Sequence, residues 1–413
     1  MTSIPPAKPV DPSAPTTILC VASYFKGNDF IDQCKKEGCR VLLLTLESLL
    51  GKPWVRSSID EVYALPQGTP MTDRRQLINS VAYLMRNEDI TRVAPMDDYD
   101  VEIVAYLREH LRIPGMGETT ARYFRDKLAM RTRARDRGIA VPDFVPILHY
   151  PRIEEYLNRV PAPWLLKPRG EASASGIKKL HTKEEAWAAI HALGDEASNY
   201  LLEHFTPGDV FHIDAITWEK DILFAECHQY RRPLLQIAQG GGIFATRTVA
   251  RGSALERQLL ETHKRVIKEL GIVRGVTHTE FIRAEDGTIH FLETAARVGG
   301  VHIADLVEAT TGINLWREWA KIEISQGEKP YRLPPRRADY GGLIVTLAKQ
   351  ESPDTSAYTE PEIGWRMQDN AHHVGLAVKS DNSERIEQLL EQYEKRFAED
   401  FLAVLPQAAT PTA

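Results

Sequence analysis

Several common protein classes are excluded by what this chain has little of. It carries four cysteines in 413 residues, Cys20, Cys34, Cys39 and Cys227, with no CxxC pair among them. That is too sparse for a disulfide framework and predicts reduced, mostly buried thiols in a cytoplasmic protein. No apolar run approaches the ~20 residues of a membrane-spanning helix; the strongest, 18–22 and 41–44, are strand-sized. A basic excess is missing too. Lys plus Arg number 51 against 57 Asp plus Glu, a net charge of −6, without the footprint of a general nucleic-acid binder. The first strand–helix turn, Ser23 to Asn28, holds one glycine. A dinucleotide fingerprint needs three, which argues against a nicotinamide or flavin enzyme.

What is present describes a soluble globular protein, 43% hydrophobic and 26% charged, with length for about three structural units. Residues 1–15 are rich in proline and lack the apolar core of a signal peptide; they read as a disordered tail. Strand, helix and strand over 17–45, a helix over 73–86 and a strand over 92–95 predict an open parallel α/β unit spanning 16–115. The last of these strands runs into Asp97-Asp98-Tyr99-Asp100. Such acids either face a ligand at the carboxyl end of the sheet or open a helix, where the macrodipole favours them; the second reading is preferred. Next come one helix over 119–138, kinked near Arg131, and strands over 164–167, 177–180, 200–205 and 210–217. A helix over 254–270 and a hairpin over 275–294 follow. Strands 342–347 and 373–378 with a helix over 383–397 predict a small C-terminal α+β unit, 329–413. The fold class is α/β with α+β lobes.

The hairpin carries a charge problem. Asp286-Gly287 is a strong two-residue turn signal. It sets Ile282 against Phe291 and, further on, Glu280 against Glu293. Directly opposed side chains have Cβ atoms only ~4.5–5.5 Å apart, and Ile282, Phe291 and Ile289 make that face apolar. Two carboxylates there need a shared proton, a cation from the protein, or a divalent metal. Without one of these, removing either acid relieves repulsion. Arg297 follows on the same face. Gly299-Gly300 lets the backbone approach a ligand, and a helix starting near Ile303 points its amides at the same place, which suits an anion. A second segment, 165–177, puts small residues, among them Gly170, Ser173, Ser175 and Gly176, between two strands. It is either a phosphate-covering flap or a mobile surface hairpin, and it is not a Walker A loop. The loop 239–242 reads as a cover over substrate. Arg247 just after it binds phosphate or a substrate carboxylate, or is a surface arginine.

Taken in order, these pieces resemble the ATP-grasp superfamily. They are Arg125-Asp126-Lys127 with Gly138 to Pro142, Lys167-Pro168 and its small-residue loop, and Leu202-Glu203-His204-Phe205 before Pro207-Gly208. Glu280, Phe291-Leu292-Glu293 and Arg297 complete the set. The resemblance covers about 97–322 and is to carboxylate–amine ligases, such as L-amino acid ligases, and to biotin-carboxylase-like enzymes. It implies ATP-grasp lobes over 116–328, a central lobe at 116–205 and a metal-binding lobe at 206–328. By resemblance, Lys127 and Lys167 contact ATP phosphates under the flap, and Glu203, His204 and Phe205 line the adenine cleft. Asp209 stands where a ribose ligand often does. Glu280 and Glu293 hold Mg²⁺, with Mn²⁺ as a substitute, and Arg297 stabilises the transferring phosphoryl group. Ala295 occupies a position where the family usually has Asn, so one metal ligand is missing. The implied reaction joins a small-molecule carboxylate to an amine, amino acids foremost, through an acyl phosphate. A homodimer is compatible with it, and neither a nucleic-acid nor a membrane partner is expected. The alternatives are an ATP-grasp carboxylase, a thioester-forming ligase, or a non-catalytic nucleotide sensor.

Overall fold

The computed structural model describes residues 15–404, apart from 67, 69, 70, 72, 173, 174 and 369. The expected N-terminal tail, but for its last residue, and Ser173 lie outside the described residues. The N-terminal sheet has four parallel strands in the order Glu61–Leu65, Arg40–Leu46, Thr17–Ala22, Ile90–Pro95. Its central strands are apolar on both faces because both are covered. Ile18, Cys20 and Ala22 pack toward the helices Asn28–Lys36 and Leu315–Ser325, while Leu19 and Val21 pack toward Arg74–Leu84 and Val101–Leu111. All four cysteines are buried and unpaired, as expected. Burial pushes the Cys39 thiol up to about 11. No helix among the described residues is long and apolar enough to cross a membrane.

A second sheet, antiparallel, runs Phe144–Pro146, Tyr200–His204, Trp164–Pro168, Lys178–Leu180. The third has eight strands in the order Ile289–Ala295, Gly275–Ala284, Gly208–Trp218, Asp221–Tyr230, Phe244–Thr248, Tyr340–Leu347, His373–Ser380, Ile363–Arg366. The strands of 329–413 therefore continue the sheet that carries the charged hairpin. Their helix, Ser383–Asp400, buries Ile386, Leu389, Leu390, Tyr393 and Phe397 as its spacing predicts.

One local expectation is corrected, and two strands are added. The segment 119–138 is two helices, Glu118–Arg122 and Lys127–Asp136, and the break falls at 123–126 instead of near Arg131. Asp126 causes it. Its carboxylate accepts from the amides of Leu128 and Ala129, an N-cap that a helix interior would forgo. The strands Asp221–Tyr230 and Phe244–Thr248 carry no sequence signal. The turn before the first uses Glu219 and Lys220 at φ 50° and 70°, where Asn or Gly is the usual marker.

The N-terminal unit and the lobe that carries the charged hairpin are stapled together. The Arg108 guanidinium lies 2.7 Å from the Glu323 carboxylate, both buried, and the Phe30 and Trp319 rings meet edge-on at 5.3 Å. The helix Ala254–Leu270 covers the back of the large sheet and buries His263 completely. Neither ring nitrogen of His263 has a hydrogen-bond partner among the described residues, and Phe281 lies beside it. Burial pushes its pKa down to about 3, so the folded chain keeps it neutral while the unfolded chain protonates it near 6.5. The stability it permits is full above about pH 6.5 and falls as pH drops toward 3. His263→Leu should flatten this loss: urea titrations at pH 7.5 and pH 5 should show about 2 kcal/mol less acid destabilisation than in the parent chain.

Candidate active site

One cleft opens where the three sheets meet, and the hairpin Gly275–Ala295 forms its floor. The turn differs from expectation. Gly287 sits at φ 85°, its N–H donates to Ala284 O at 2.9 Å, and Ala284 N–H donates to Thr288 O at 2.9 Å. Three residues, 285–287, therefore make the loop. Arg283 pairs with Ile289, Ile282 with His290 and Phe281 with Phe291; the register then shifts, and Glu280 pairs with Glu293. Leu292 is the extra residue of a β-bulge. The longer loop moves the register by one and the bulge moves it back. Glu280 does oppose Glu293, but Ile282 does not oppose Phe291.

The bulge also decides which face Glu293 uses. Phe281, Ile289 and Phe291 pack away from the cleft, against the helix Ala254–Leu270. Leu292 and Glu293 both line the cleft with Glu280 and Ile282, so the apolar neighbours of the acid pair are Ile282 and Leu292. The hairpin's outer strand is a sheet edge, and its exposed backbone is taken up elsewhere. Phe291 N–H donates to Ala140 O at 2.8 Å, and its carbonyl accepts from Arg131 at 2.6 Å.

Of the three ways to compensate the acids, this structure shows a protein cation. Lys127 Nζ is 2.7 Å from Glu293 Oε2. Burial pushes Glu293 up, but Lys127, with Lys167 and Arg131 behind it, pulls the carboxyl down to about 2. Glu280 Oε1 accepts from the Tyr230 hydroxyl at 2.8 Å and lies 3.5 Å from His278 Nε2. Lys167 Nζ is 2.6 Å from Glu203 Oε1, whose other oxygen is 2.8 Å from Arg131 Nη2. Burial raises the Glu203 pKa, yet Arg131 and Lys167 outweigh it and hold the group ionised. Oxygen donors from two opposed carboxylates suit a hard divalent cation such as Mg²⁺.

The remaining cleft wall comes from the N-terminal unit and the flap. Arg297 Nε lies 3.7 Å from Asp98 Oδ1, and both atoms are buried without a hydrogen-bond partner among the described residues. Asp98 also holds Arg125, which donates to Gly170 O. The acidic cluster thus serves both readings given for it: Asp97 and Asp100 form a capping box, while Asp98 faces the cleft. Glu171 on the flap accepts from the Tyr99 hydroxyl at 2.7 Å, and its carbonyl accepts from Lys127 Nζ at 2.6 Å.

Lys127, Lys167, Ser175, Glu203, Phe205, Glu280, Glu293, Arg297 and Gly300 all line this cleft. Gly170, Gly176, His204, Asp209, Arg247 and Gly299 are not among its lining residues. Asp209 is exposed and sits opposite Arg283 in the sheet. Arg247 pairs instead with Glu387 at 2.6 Å and Gln229 at 3.0 Å. Gly299 is small for an internal reason: a Cβ there would come within 2.8 Å of Asp214 Oδ1 and 3.0 Å of His278 Nδ1. After Gly300, Val301 and His302 take left-handed backbone at φ 50° and 61° before the helix Ile303–Thr311. A β-branched residue in that region is strained. Sequence reasoning assigned no role to Arg125 and preferred a helix-opening role for Asp98; it missed Arg131, Tyr230 and His278 as cleft residues. Of the three missed, His278 had a signal, lying two residues before Glu280 and so on the same strand face.

No family model matches the chain. Over 278 residues it is 27% identical to the L-arginine-specific L-amino acid ligase of Bacillus subtilis. The match takes in 64% of this chain and 64% of that protein, so the chain spans just under two thirds of this relative's length. Among solved structures, an L-amino acid ligase from Bacillus licheniformis superposes with a TM-score of 0.73 at 15% identity, over 96% of this chain and 100% of that one. The biotin carboxylase domain of the Hydrogenobacter thermophilus 2-oxoglutarate carboxylase, solved with MgADP and bicarbonate, gives a TM-score of 0.67 at 15% identity over 91% and 88%. The chain has the fold of these enzymes, the one the ATP-grasp resemblance implies.

Because Lys127 is nearly buried, it depends on Glu293 for a counter-charge. Glu293→Ala should lower the stability of the nucleotide-free protein by about 1–2 kcal/mol. This is the opposite of the stabilisation expected from relieved repulsion. Lys127→Met combined with Glu293→Leu should recover most of the loss in urea titration.

Proposed function

We propose that the chain is an ATP-dependent carboxylate–amine ligase. It activates the carboxylate of a small acid, an amino acid in the first instance, as an acyl phosphate, then passes the acyl group to an amine. The observation that carries this reading is the convergence of Glu280, Glu293, Lys127, Lys167 and Arg297 on one cleft. Glu280 and Glu293 would hold Mg²⁺, which when bound neutralises phosphate charge.

The chain's own residues do the rest by position and charge. Lys127 and Lys167 each hold a carboxylate in this structure. Phosphate oxygens compete for the same ammonium groups, so nucleotide binding exchanges one set of anions for another. Phe205, Leu165, Ile282 and Leu292 offer an apolar slot for the adenine ring. Among the described residues Arg297 donates only to the neighbouring Val298 carbonyl, at 2.9 Å. Its guanidinium faces the cleft and offsets charge on the γ-phosphoryl group as it moves. The amides of 300–302 hold the acid beside it, that of Ile303 being taken by Gly300 O at 3.1 Å. An oxygen of the acid attacks the γ-phosphorus and ADP leaves. The amine nitrogen then attacks the acyl carbon, loses a proton, and phosphate leaves.

Three outcomes follow. Incubation with ATP, a panel of amino acids and hydroxylamine should give a hydroxamate and ADP only when the correct acid is present. Release of AMP and pyrophosphate would mean an adenylate and would overturn the acyl-phosphate route. Arg297→Ala should lower kcat by about 10²–10³-fold with ATP affinity little changed, because its interaction is made in the transition state.

A further inference from the structure

Behind Glu280 lies a buried polar cluster that touches neither nucleotide nor acid in the reading above. Asp214 stands opposite His278 in the sheet register and is wholly buried. His278 Nδ1 is 2.9 Å from Asp214 Oδ1. A carboxylate only accepts, so this nitrogen carries the hydrogen. The ring's other nitrogen is thereby aimed forward, 3.5 Å from Glu280 Oε1 and 3.4 Å from the Tyr230 hydroxyl, whose own proton goes to Glu280; facing acceptors on both sides, the ring holds Glu280 as an imidazolium, its charge matched by Asp214. The second oxygen of Asp214 accepts from His212 Nδ1 at 2.7 Å, and His212 Nε2 meets Thr246 Oγ1 at 2.9 Å. His228 Nδ1 lies 3.9 Å from that same oxygen, and neither of its nitrogens has a hydrogen-bond partner among the described residues. Three imidazoles thus turn Nδ1 toward one carboxylate.

Such a set invites a metal, but its geometry is that of a hydrogen-bonded clamp. The His212 and His228 rings lie within 17° of parallel with centroids 4.8 Å apart. Ring lone pairs lie in the ring planes, so one ion cannot lie in both without a ring turning. The 2.7 Å between His212 Nδ1 and Asp214 is also a hydrogen-bond distance, shorter than the ~3.3 Å between two ligands of a tetrahedral zinc.

We infer that Asp214 and His278 are positioning residues for Glu280: Asp214 fixes the His278 ring, and His278 with Tyr230 holds the Glu280 carboxylate facing Glu293. This rests on the reading of Glu280 as a metal ligand. The arrangement answers a need that Lys127 cannot meet. Lys127 steadies Glu293 but is claimed by phosphate, whereas Tyr230 and His278 steady Glu280 without a cation drawn to the nucleotide. Gly299 closes over the Asp214–His278 contact, so the same pair also seats the turn that follows Arg297.

The test uses the full chain with ADP, and Mn²⁺ as probe. Free Mn²⁺ is read by electron paramagnetic resonance, and metal-free ADP binding by calorimetry. Asp214→Asn should weaken Mn²⁺ binding about 10–100-fold, as loss of an outer partner does, with metal-free ADP affinity changed less than twofold. His278→Gln should act in the same direction, and the double variant should be no worse than the stronger single one. Where Asp214→Asn does not fold, His278→Gln and Gly299→Ala, which pushes between the pair, give the same readout. Unchanged Mn²⁺ affinity in these folded variants, with Glu280→Gln strongly weakened, would overturn the inference alone. Unchanged affinity in Glu280→Gln would overturn the ligand assignment beneath it. One equivalent of zinc in the protein as isolated, lost in His228→Ala, would replace the clamp by a metal centre.

Discussion

Two carboxylates face each other across adjacent strands, and the architecture of the cleft follows from that repulsion. Glu280 and Glu293 are directly opposed, at a spacing where like charges destabilise a sheet. Each therefore carries its own escort. Glu293 has a lysine on a short helix whose start is set by Asp126. Glu280 has a phenol and an imidazole on its own sheet. The different escorts explain why the two acids are not equivalent, although they belong to one hairpin. One is held by a lysine from another element, the other by donors of its own sheet.

The cleft needs the N-terminal unit as much as the lobes. Asp98, at the end of a parallel strand, faces both Arg125 and Arg297. That alignment is maintained from beneath by the buried Arg108–Glu323 pair and by Arg92, which donates to the Ile324 carbonyl and Glu328. Breaking one partner of such a buried pair costs far more than exchanging both for apolar groups. The contact therefore serves register between units more than net stability. The arginine assigned to the phosphoryl group is placed by a sheet that contributes no ligand for it.

Much of this was legible in the sequence, and the failures have physical causes. The parallel unit was readable because buried strands such as 18–22 and 41–44 are apolar on both faces. The acid pair was placed correctly through two offsetting errors: a three-residue loop read as two, and a bulge at Leu292 with no composition signal. The apolar neighbours were misassigned as a result, since a bulge turns two consecutive residues to one face. Arg247 was placed by proximity to a loop, and nothing local reveals that Glu387, 140 positions on, takes its charge. The partners Asp214, Tyr230 and Arg131 belong to elements far from the hairpin in sequence, and pairing across a sheet is a tertiary fact. His278 alone was within reach, by strand period.

The C-terminal strands are laid onto the large sheet beside Phe244–Thr248 rather than folded into a unit of their own. The region is therefore not a detachable module. A chain stopped near residue 328 would leave Phe244–Thr248 as a long open edge, the kind of surface that recruits other chains. It would also uncover the helix face where Gly341 sits tight against Leu306 and Thr310. Thr246, the residue that steadies His212, lies on that edge strand. The strands synthesised last thus complete the packing behind Glu280, and the charged hairpin of a nascent chain stands unbraced until they arrive.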